Sequence, residues 1–174
     1  MTPTATELQH RLADECQQFI DVINSVPEHD FYLRPADKWS IADVTQHLYL
    51  SARPIVRLMT GPREVLRQWD SPDVASHTYQ ELRTNYENVL ASGVKAPPTM
   101  SPRPEDTEVE KRELVKRFTG IYQALSEATD TWSEEELDTF CIPHPALGKL
   151  TVRDMLLFTC IHTQHHLRLL TIHV

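Results

Sequence analysis

The residues best suited to chemistry are histidines near the carboxyl end of the sequence. His162, His165 and His166 lie close together in the segment CIHTQHHLRL. Residues four apart on a helix lie one turn above each other, so the rings of His162 and His166 share a face, with Cβ atoms about 6 Å apart. One small ion could therefore contact both rings. His165 is rotated by about 100° from His166 and is expected to point elsewhere.

A third histidine could complete such a site. His47 lies in another predicted buried helix, in SIADVTQHLYL, and facing helices of a bundle can bring it level with His162 and His166. Three neutral imidazoles with open positions are typical of a catalytic divalent site for zinc, nickel or another late first-row ion. Asp43, one turn before His47, could accept a hydrogen bond from its ring. The stronger interpretation of Asp43 is the acidic residue of a helix cap.

The sequence gives less indication of a functional role for the other histidines. His144 lies in IPHPALG, where it either lines the mouth of a site or serves as a turn residue. The remaining four are assigned to solvent faces, a loop and the end of the chain: His10, His77, His29 and His173.

Composition limits the function classes. The chain has 174 residues, of which 40% are hydrophobic, so we expect one domain over residues 1–174 with a substantial core. The formal charge of −8 argues against binding to nucleic acid or to an anionic membrane. The three cysteines are far apart and form no CxxC pair, which favours reduced thiols and a cytoplasmic location. A polar amino terminus and the lack of a long apolar run predict neither a secretion signal nor a membrane span.

The elements that must position the histidines have helical periodicity. Apolar stripes at helical spacing predict five longer helices, with two shorter helical pieces between them. The longer ones span residues 4–24, 40–61, 76–90, 107–131 and 151–172, and the shorter ones span 62–68 and 133–136. The last helix is apolar on more than one face, which indicates a central, buried position for the helix that carries His162 and His166.

Proline and glycine mark the connections. Pro54 predicts a kink or a break near residues 52–53. Residues 91–108 contain four prolines and one glycine, and they are expected to run irregularly over the surface. Residues 140–150 are predicted to be a loop, and no strand is expected. The fold class is therefore all-α, a four-helix bundle with one additional helix and long irregular connections.

Three motifs now occur in a defined order. They are a helix that begins KWSIAD and carries His47, the segment PHPALGKLT, and the pattern His162-Thr-Gln-His-His166. Together, over residues 31–170, they resemble the DinB/YfiT-like family of metal-dependent enzymes. The resemblance implies a four-helix bundle of unusual connectivity, with His47, His162 and His166 as the metal ligands. It also implies a homodimer, because members of the family often form one.

The resemblance leaves the reaction open. Some members of the family are thiol-dependent transferases or isomerases, others are described as hydrolases by analogy, and many have no known activity. A divalent ion held by three imidazoles lowers the pKa of a bound water and favours a thiolate even more strongly. The nucleophile is therefore a metal-bound water or a metal-bound thiolate, and no protein residue is assigned as catalytic.

The choice between the two reactions depends on a general base. No glutamate follows a ligand, since Thr163 follows His162, and His165 or Tyr49 could assist only if turned inward. We therefore expect a thiol-dependent transferase that uses zinc or nickel and a low-molecular-weight thiol as cosubstrate, acting on a small molecule. A metal-dependent hydrolase is the first alternative. The second is a bundle without catalysis that binds a metal or a protein partner.

Overall fold

The computed structural model describes residues 1–36 and 38–171, in which helices predominate. In chain order the helices are α1 (Ala5–Ser25), α2 (Glu28–Tyr32), α3 (Ile41–Met59), α4 (Tyr79–Ala91), α5 (Pro104–Thr107), α6 (Lys111–Thr129), α7 (Glu134–Thr139) and α8 (Val152–Thr171). Two 3-10 helices span Arg63–Trp69 and Pro98–Met100, and two strands, β1 (Cys141–His144) and β2 (Gly148–Thr151), precede α8.

Four long helices form the bundle. α1 packs on α6 and α8, and α3 packs on the same two helices. The shorter α4 is the additional helix and packs against α8. This arrangement confirms the predicted four-helix bundle with one additional helix.

Hydrogen-bonded caps set the helix starts. α1, α3, α4 and α7 each begin with a capping box, in which a serine or threonine hydroxyl and an acid three residues later bond each other's backbone N–H. For α3 the pair is Ser40 and Asp43, so the predicted cap role of Asp43 is confirmed. This cap fixes where the helix that carries His47 begins.

The core is continuous between the helices. Phe19 of α1 and Phe118 of α6 have ring centroids 4.8 Å apart, and Tyr122 stands 4.5 Å from Phe118. Residues 152–163 of α8 are all buried, which confirms the predicted central position of this helix. Ile172, the predicted last residue of the helix, lies outside the described residues. Within the described residues, no helix is long and apolar enough to span a membrane.

The predicted loop over residues 140–150 is wrong, because the segment is an antiparallel hairpin. Cys141 pairs with Thr151 and His144 pairs with Gly148. Gly148 has φ of +76°, a left-handed conformation that glycine adopts readily at the end of a three-residue hairpin loop. Each strand has only four residues, too few for strand alternation to stand out from the prolines and glycine around it.

Two helix boundaries also differ from prediction. The sequence predicts a kink or a break near residues 52–53, and the structure shows no break there. α3 continues through Pro54 because packing of its buried face outweighs one missing backbone hydrogen bond. The helix predicted over 107–131 begins later, at Lys111, with Glu110 as the N-cap of α6. Thr107 instead ends the separate single turn α5.

Candidate metal centre

Three histidines from two helices bring their Nε2 atoms together inside the bundle. His47 comes from α3, while His162 and His166 lie one turn apart on α8. The His47 Nε2 is 3.0 Å from the His162 Nε2, and the His166 Nε2 is 3.1 Å from that same atom. One ring nitrogen of each lies within 4.8 Å of the others. The structure thus brings together the three side chains that the sequence singles out as ligands.

The tautomer of His47 follows from its second hydrogen bond. Its Nδ1 lies 2.6 Å from the carbonyl oxygen of Met100. A carbonyl can only accept, so Nδ1 carries the hydrogen and donates it. The Nε2 of the neutral ring is then unprotonated, and its lone pair faces His162. This is the nitrogen that a metal-bound histidine presents when its other nitrogen is held by a carbonyl.

Hydrogen bonds among the rings cannot satisfy all three nitrogens. The Nε2 of His162 can make one well-aligned hydrogen bond, either by donating to His47 or by accepting from His166. The other short nitrogen–nitrogen contact is then left without a hydrogen bond, which is costly in a buried position. A cation among the nitrogens removes this conflict. Zn–N bonds are about 2.0–2.1 Å long, so nitrogens about 3 Å apart can share one ion.

The protonation of the rings also suits a metal. Burial lowers the pKa of His47, while the hydrogen bond to the Met100 carbonyl acts in the opposite direction. The pKa values of His162 and His166 lie well below the usual histidine value, because of burial and then of repulsion from neighbouring histidines. The three imidazoles are therefore neutral near pH 7. Neutral imidazole is the form that binds divalent late first-row ions, so the donor set fits such an ion.

Asp43 does not hold the His47 ring. Its carboxylate caps α3 and forms a bidentate ion pair with Arg34, at 2.7 and 2.8 Å. The group that orients His47 is instead the backbone carbonyl of Met100, which residue types cannot reveal. The signal that could have indicated this neighbourhood is the pair Pro97-Pro98, which stiffens the turn before Met100.

Trp39, the residue before the N-cap of α3, also belongs to the site. Its ring centroid lies 4.8 Å from that of His47 and 6.4 Å from that of His166. The side of the histidine cluster towards Trp39 is thus covered by an indole. On α8, the Phe158 ring stacks on the His162 ring at 5.3 Å and 16°. These aromatic faces restrict the access of water to the nitrogens.

A cavity of about 620 Å³ opens beside the histidines, within the usual size range of small-molecule sites. His47, His162 and His166 lie in its wall. Most of the remaining wall is apolar and comes from α3, α4, the connection over residues 94–101, the hairpin and α8. It includes Pro54, Ile55, Leu58, Leu90, Met155 and Phe158. The arrangement can therefore hold a small molecule against a metal.

The structure agrees with the predictions for some of the remaining histidines and not for others. His165 lies outside the nitrogen cluster, as predicted, yet it lines the cavity, with its ring 5.6 Å from that of Tyr86. His144 is both a turn residue and a cavity residue. The prediction of a solvent-facing His77 is wrong, because its Nδ1 lies 2.6 Å from the buried Asp154. Tyr49 is not among the described residues that line the cavity.

His10 is exposed, as the sequence predicts. The prediction that His29 lies in a loop is wrong, because His29 is an exposed residue of the short helix α2. His173 lies outside the described residues.

Comparison with known proteins places the fold and the site in context. The chain is similar to the crystal structure of TT2238, a four-helix bundle protein, with a TM-score of 0.58 and 16% sequence identity. The match covers 97% of this chain and 99% of that one, and at this identity it shows the fold alone. No curated protein matches the sequence. A family model described as the DinB superfamily matches residues 17–170. The chain therefore belongs to the DinB superfamily.

Proposed function

We propose that this protein is an enzyme that holds one divalent transition metal, zinc or nickel, between His47, His162 and His166 and uses it to activate a small thiol for transfer to a small molecule. The observation that carries the proposal is the contact of the His47 and His166 Nε2 atoms with the His162 Nε2 at 3.0 and 3.1 Å beside a cavity. When bound, such an ion acts as a Lewis acid and lowers the pKa of a water or thiol that it coordinates.

The residues around the ligands have separate tasks. The Met100 carbonyl holds His47 in the tautomer that exposes Nε2. Trp39 and Phe158 pack against the histidine rings and limit solvent. The apolar wall of the cavity gives the small-molecule substrate a place next to the ligands, with room for more than one small group.

The protein's own cysteines are poorly placed to supply the thiol. Burial raises the pKa of Cys16 to about 11, and it also raises the pKa values of Cys141 and Cys160. None of the three is among the described residues that line the cavity. A thiol at this site must therefore come from a cosubstrate.

Hydrolysis by metal-bound water is the alternative, and it usually needs a general base. Among the described residues that line the cavity, none is an aspartate or a glutamate. His165 is part of that lining and could serve as the base, so hydrolysis remains the alternative. Thiol transfer needs no protein base, because a thiol becomes its own nucleophile once it is deprotonated. The homodimer and the cytoplasmic location stay predictions from the sequence.

The test is the absorption spectrum of protein loaded with Co²⁺. This ion binds the same ligands as zinc, and its visible absorption depends on which ligands are bound. Adding cysteine should produce a thiolate-to-cobalt charge-transfer band, whereas S-methylcysteine, which has no thiol, should not. The His47→Ala variant should show no band, and His29→Ala, which changes an exposed histidine, should match the wild type. A protein that binds Co²⁺ but shows no band with cysteine, 2-mercaptoethanol or glutathione would exclude thiol activation and leave hydrolysis.

A further inference from the structure

His144 is held in a defined tautomer by the hairpin turn. Its Nδ1 accepts from the backbone N–H of Ala146 at 3.1 Å and from that of Leu147 at 3.0 Å. Two donors at one nitrogen require a lone pair there, so the hydrogen of the neutral ring lies on Nε2. Burial lowers the pKa of His144 to about 4, so the ring is neutral near pH 7. His144 therefore presents a fixed N–H donor rather than a base.

The ring stands in the wall of the cavity. Its centroid lies 4.3 Å from that of Phe158, and Phe158 in turn stacks on His162. Because Nδ1 is turned towards the loop backbone, the opposite edge of the ring carries Nε2–H. Within the part of the chain that the structure describes, the hydrogen bonds of the His144 ring are the two that Nδ1 accepts, and Nε2 has no protein acceptor. A half-buried donor that is fixed in a cavity wall and has no protein partner is available to a ligand.

The charge around the cavity indicates what that ligand carries. The described lining contains no carboxylate, and the exposed Lys95 is its one lysine or arginine. With a divalent ion at the three histidines, the cavity is positive at one end and apolar over most of its wall. An oxygen acceptor with negative charge on a compact apolar body matches both features, whereas an ammonium group is opposed by the ion.

We propose that the cavity binds a compact apolar molecule with a carboxylate or carbonyl oxygen, and that His144 positions it by donating its Nε2–H to that oxygen. This inference deepens the proposed function and rests on it for the positive charge of the metal centre. His144 is thus a positioning residue that acts on the substrate. Because the backbone N–H groups of the turn keep the hydrogen of His144 on Nε2, this nitrogen can bind only hydrogen-bond acceptors.

Two amide substitutions separate the two nitrogens of His144. His144→Asn places an amide oxygen near the position of Nδ1, so it keeps the acceptor for the turn and loses the distal donor. His144→Gln places an amide nitrogen near the position of Nε2, so it keeps the distal donor and loses the turn acceptor. If His144 only stabilises the hairpin, Gln is the harmful change. If it binds substrate, Asn is the harmful one.

The experiment is calorimetric titration of octanoate into zinc-loaded wild type and both variants, with octylammonium as the probe of opposite charge. Wild type should bind octanoate and should bind octylammonium at least about tenfold more weakly. His144→Asn should weaken octanoate binding about tenfold, the loss of one hydrogen bond to a charged group. His144→Gln should stay within about threefold of the wild type but melt at a lower temperature.

Several results would overturn the inference. They are equal octanoate affinity in His144→Asn and wild type, equal affinity for the two probes, or no octanoate binding by zinc-loaded wild type. Zinc content is measured on every sample, so failure to hold zinc counts against the proposed function alone. The titrations are repeated without zinc, and ¹⁵N NMR of metal-free protein reads the His144 tautomer directly. A hydrogen on Nδ1 would contradict the donor role whatever the metal result.

Discussion

The Nδ1 of His47 donates to the carbonyl oxygen of Met100 at 2.6 Å, across a sequence separation of 53 residues. This hydrogen bond joins α3 to the 3-10 turn Pro98–Met100. The turn is itself closed by the Met100 N–H, which donates to the Pro97 carbonyl at 2.9 Å. The connection over residues 91–108, which the sequence predicts to be irregular, therefore determines which nitrogen of His47 faces the site.

Loosening that turn should weaken metal binding without removing a ligand. Replacing Pro97 and Pro98 with glycine makes the backbone before Met100 more flexible. The Met100 carbonyl then accepts the hydrogen bond from the His47 Nδ1 in a smaller fraction of molecules. Loss of such an outer partner typically costs about 10–100-fold in metal affinity, and we expect a fall of about tenfold. Competition with a chromogenic zinc chelator measures the change.

Met100→Ala is the matched control, because it keeps the carbonyl and removes only the side chain. Its zinc affinity should stay within about threefold of the wild type. If the glycine variant keeps wild-type affinity, the Met100 carbonyl does not orient His47 for a metal.

Metal affinity should be insensitive to pH near neutrality. The pKa values of His47, His162 and His166 lie below the usual histidine value of 6.5, so protons do not compete for these nitrogens above that pH. As pH falls through these lowered pKa values the rings take up protons, and affinity should decline. Zinc competition titrations from pH 5 to pH 8 measure this profile. A steep loss already between pH 8 and pH 7 would mean that the rings are protonated near neutrality.

The ion pair of Arg34 with Asp43 should stabilise the start of α3. Burial acts to raise the pKa of Asp43, but hydrogen bonds from Arg34 and Ser40 outweigh it and the pKa lies below its usual 3.8. The carboxylate therefore adds stability above pH 3.8, which is lost as pH falls through the lower folded pKa.

Arg34→Leu should lower the free energy of unfolding by about 1 kcal/mol at pH 7, a modest value because Arg34 is half exposed. Urea denaturation measures it, and ¹³C NMR titration of the carboxyl should show a higher pKa for Asp43 in the variant. Arg112→Leu, which removes a fully exposed pair with Glu110, should change stability by less than about 0.5 kcal/mol. An unchanged Asp43 pKa would show that Ser40 alone depresses it.

Asp154 should anchor the start of α8. Its buried carboxylate accepts from the His77 backbone N–H at 2.8 Å and contacts the His77 Nδ1 at 2.6 Å. Asp154→Ala removes the acceptor of both hydrogen bonds from His77. It should lower the free energy of unfolding by about 3 kcal/mol, measured by urea denaturation, since hydrogen bonds to charged groups are strong. Asp21→Ala, an exposed helix aspartate, should cost no more than about 0.5 kcal/mol. Similar losses in both variants would contradict the anchoring role.

The sequence predicted the bundle because helical periodicity is strong over long segments, as in α8. It also indicated which histidines would meet, since the spacing of His162 and His166 places them on one helix face. The hairpin was missed because strands of four residues beside Pro143 and Gly148 carry little periodic signal. The sheet has only these two strands, so no further strand extends the alternation of apolar and polar residues that would indicate it.

The partners of the site were harder to predict than the histidines. Met100 acts through its backbone, which every residue possesses, and residue type gives no sign of it. His77 looked solvent-facing because its partner Asp154 is 77 residues away in sequence. The contacts of Trp39 and His144 depend on how a loop and a hairpin fold over α8, which local spacing does not specify.

The metal content of purified protein tests the central claim most directly. Protein without a histidine tag is purified without chelator and analysed by inductively coupled plasma mass spectrometry, beside His47→Ala and His29→Ala. We predict about one equivalent of a transition metal in wild type and His29→Ala, and its loss in a folded His47→Ala. A wild-type protein that contains no metal, and takes up neither zinc nor nickel when they are added, would contradict the account.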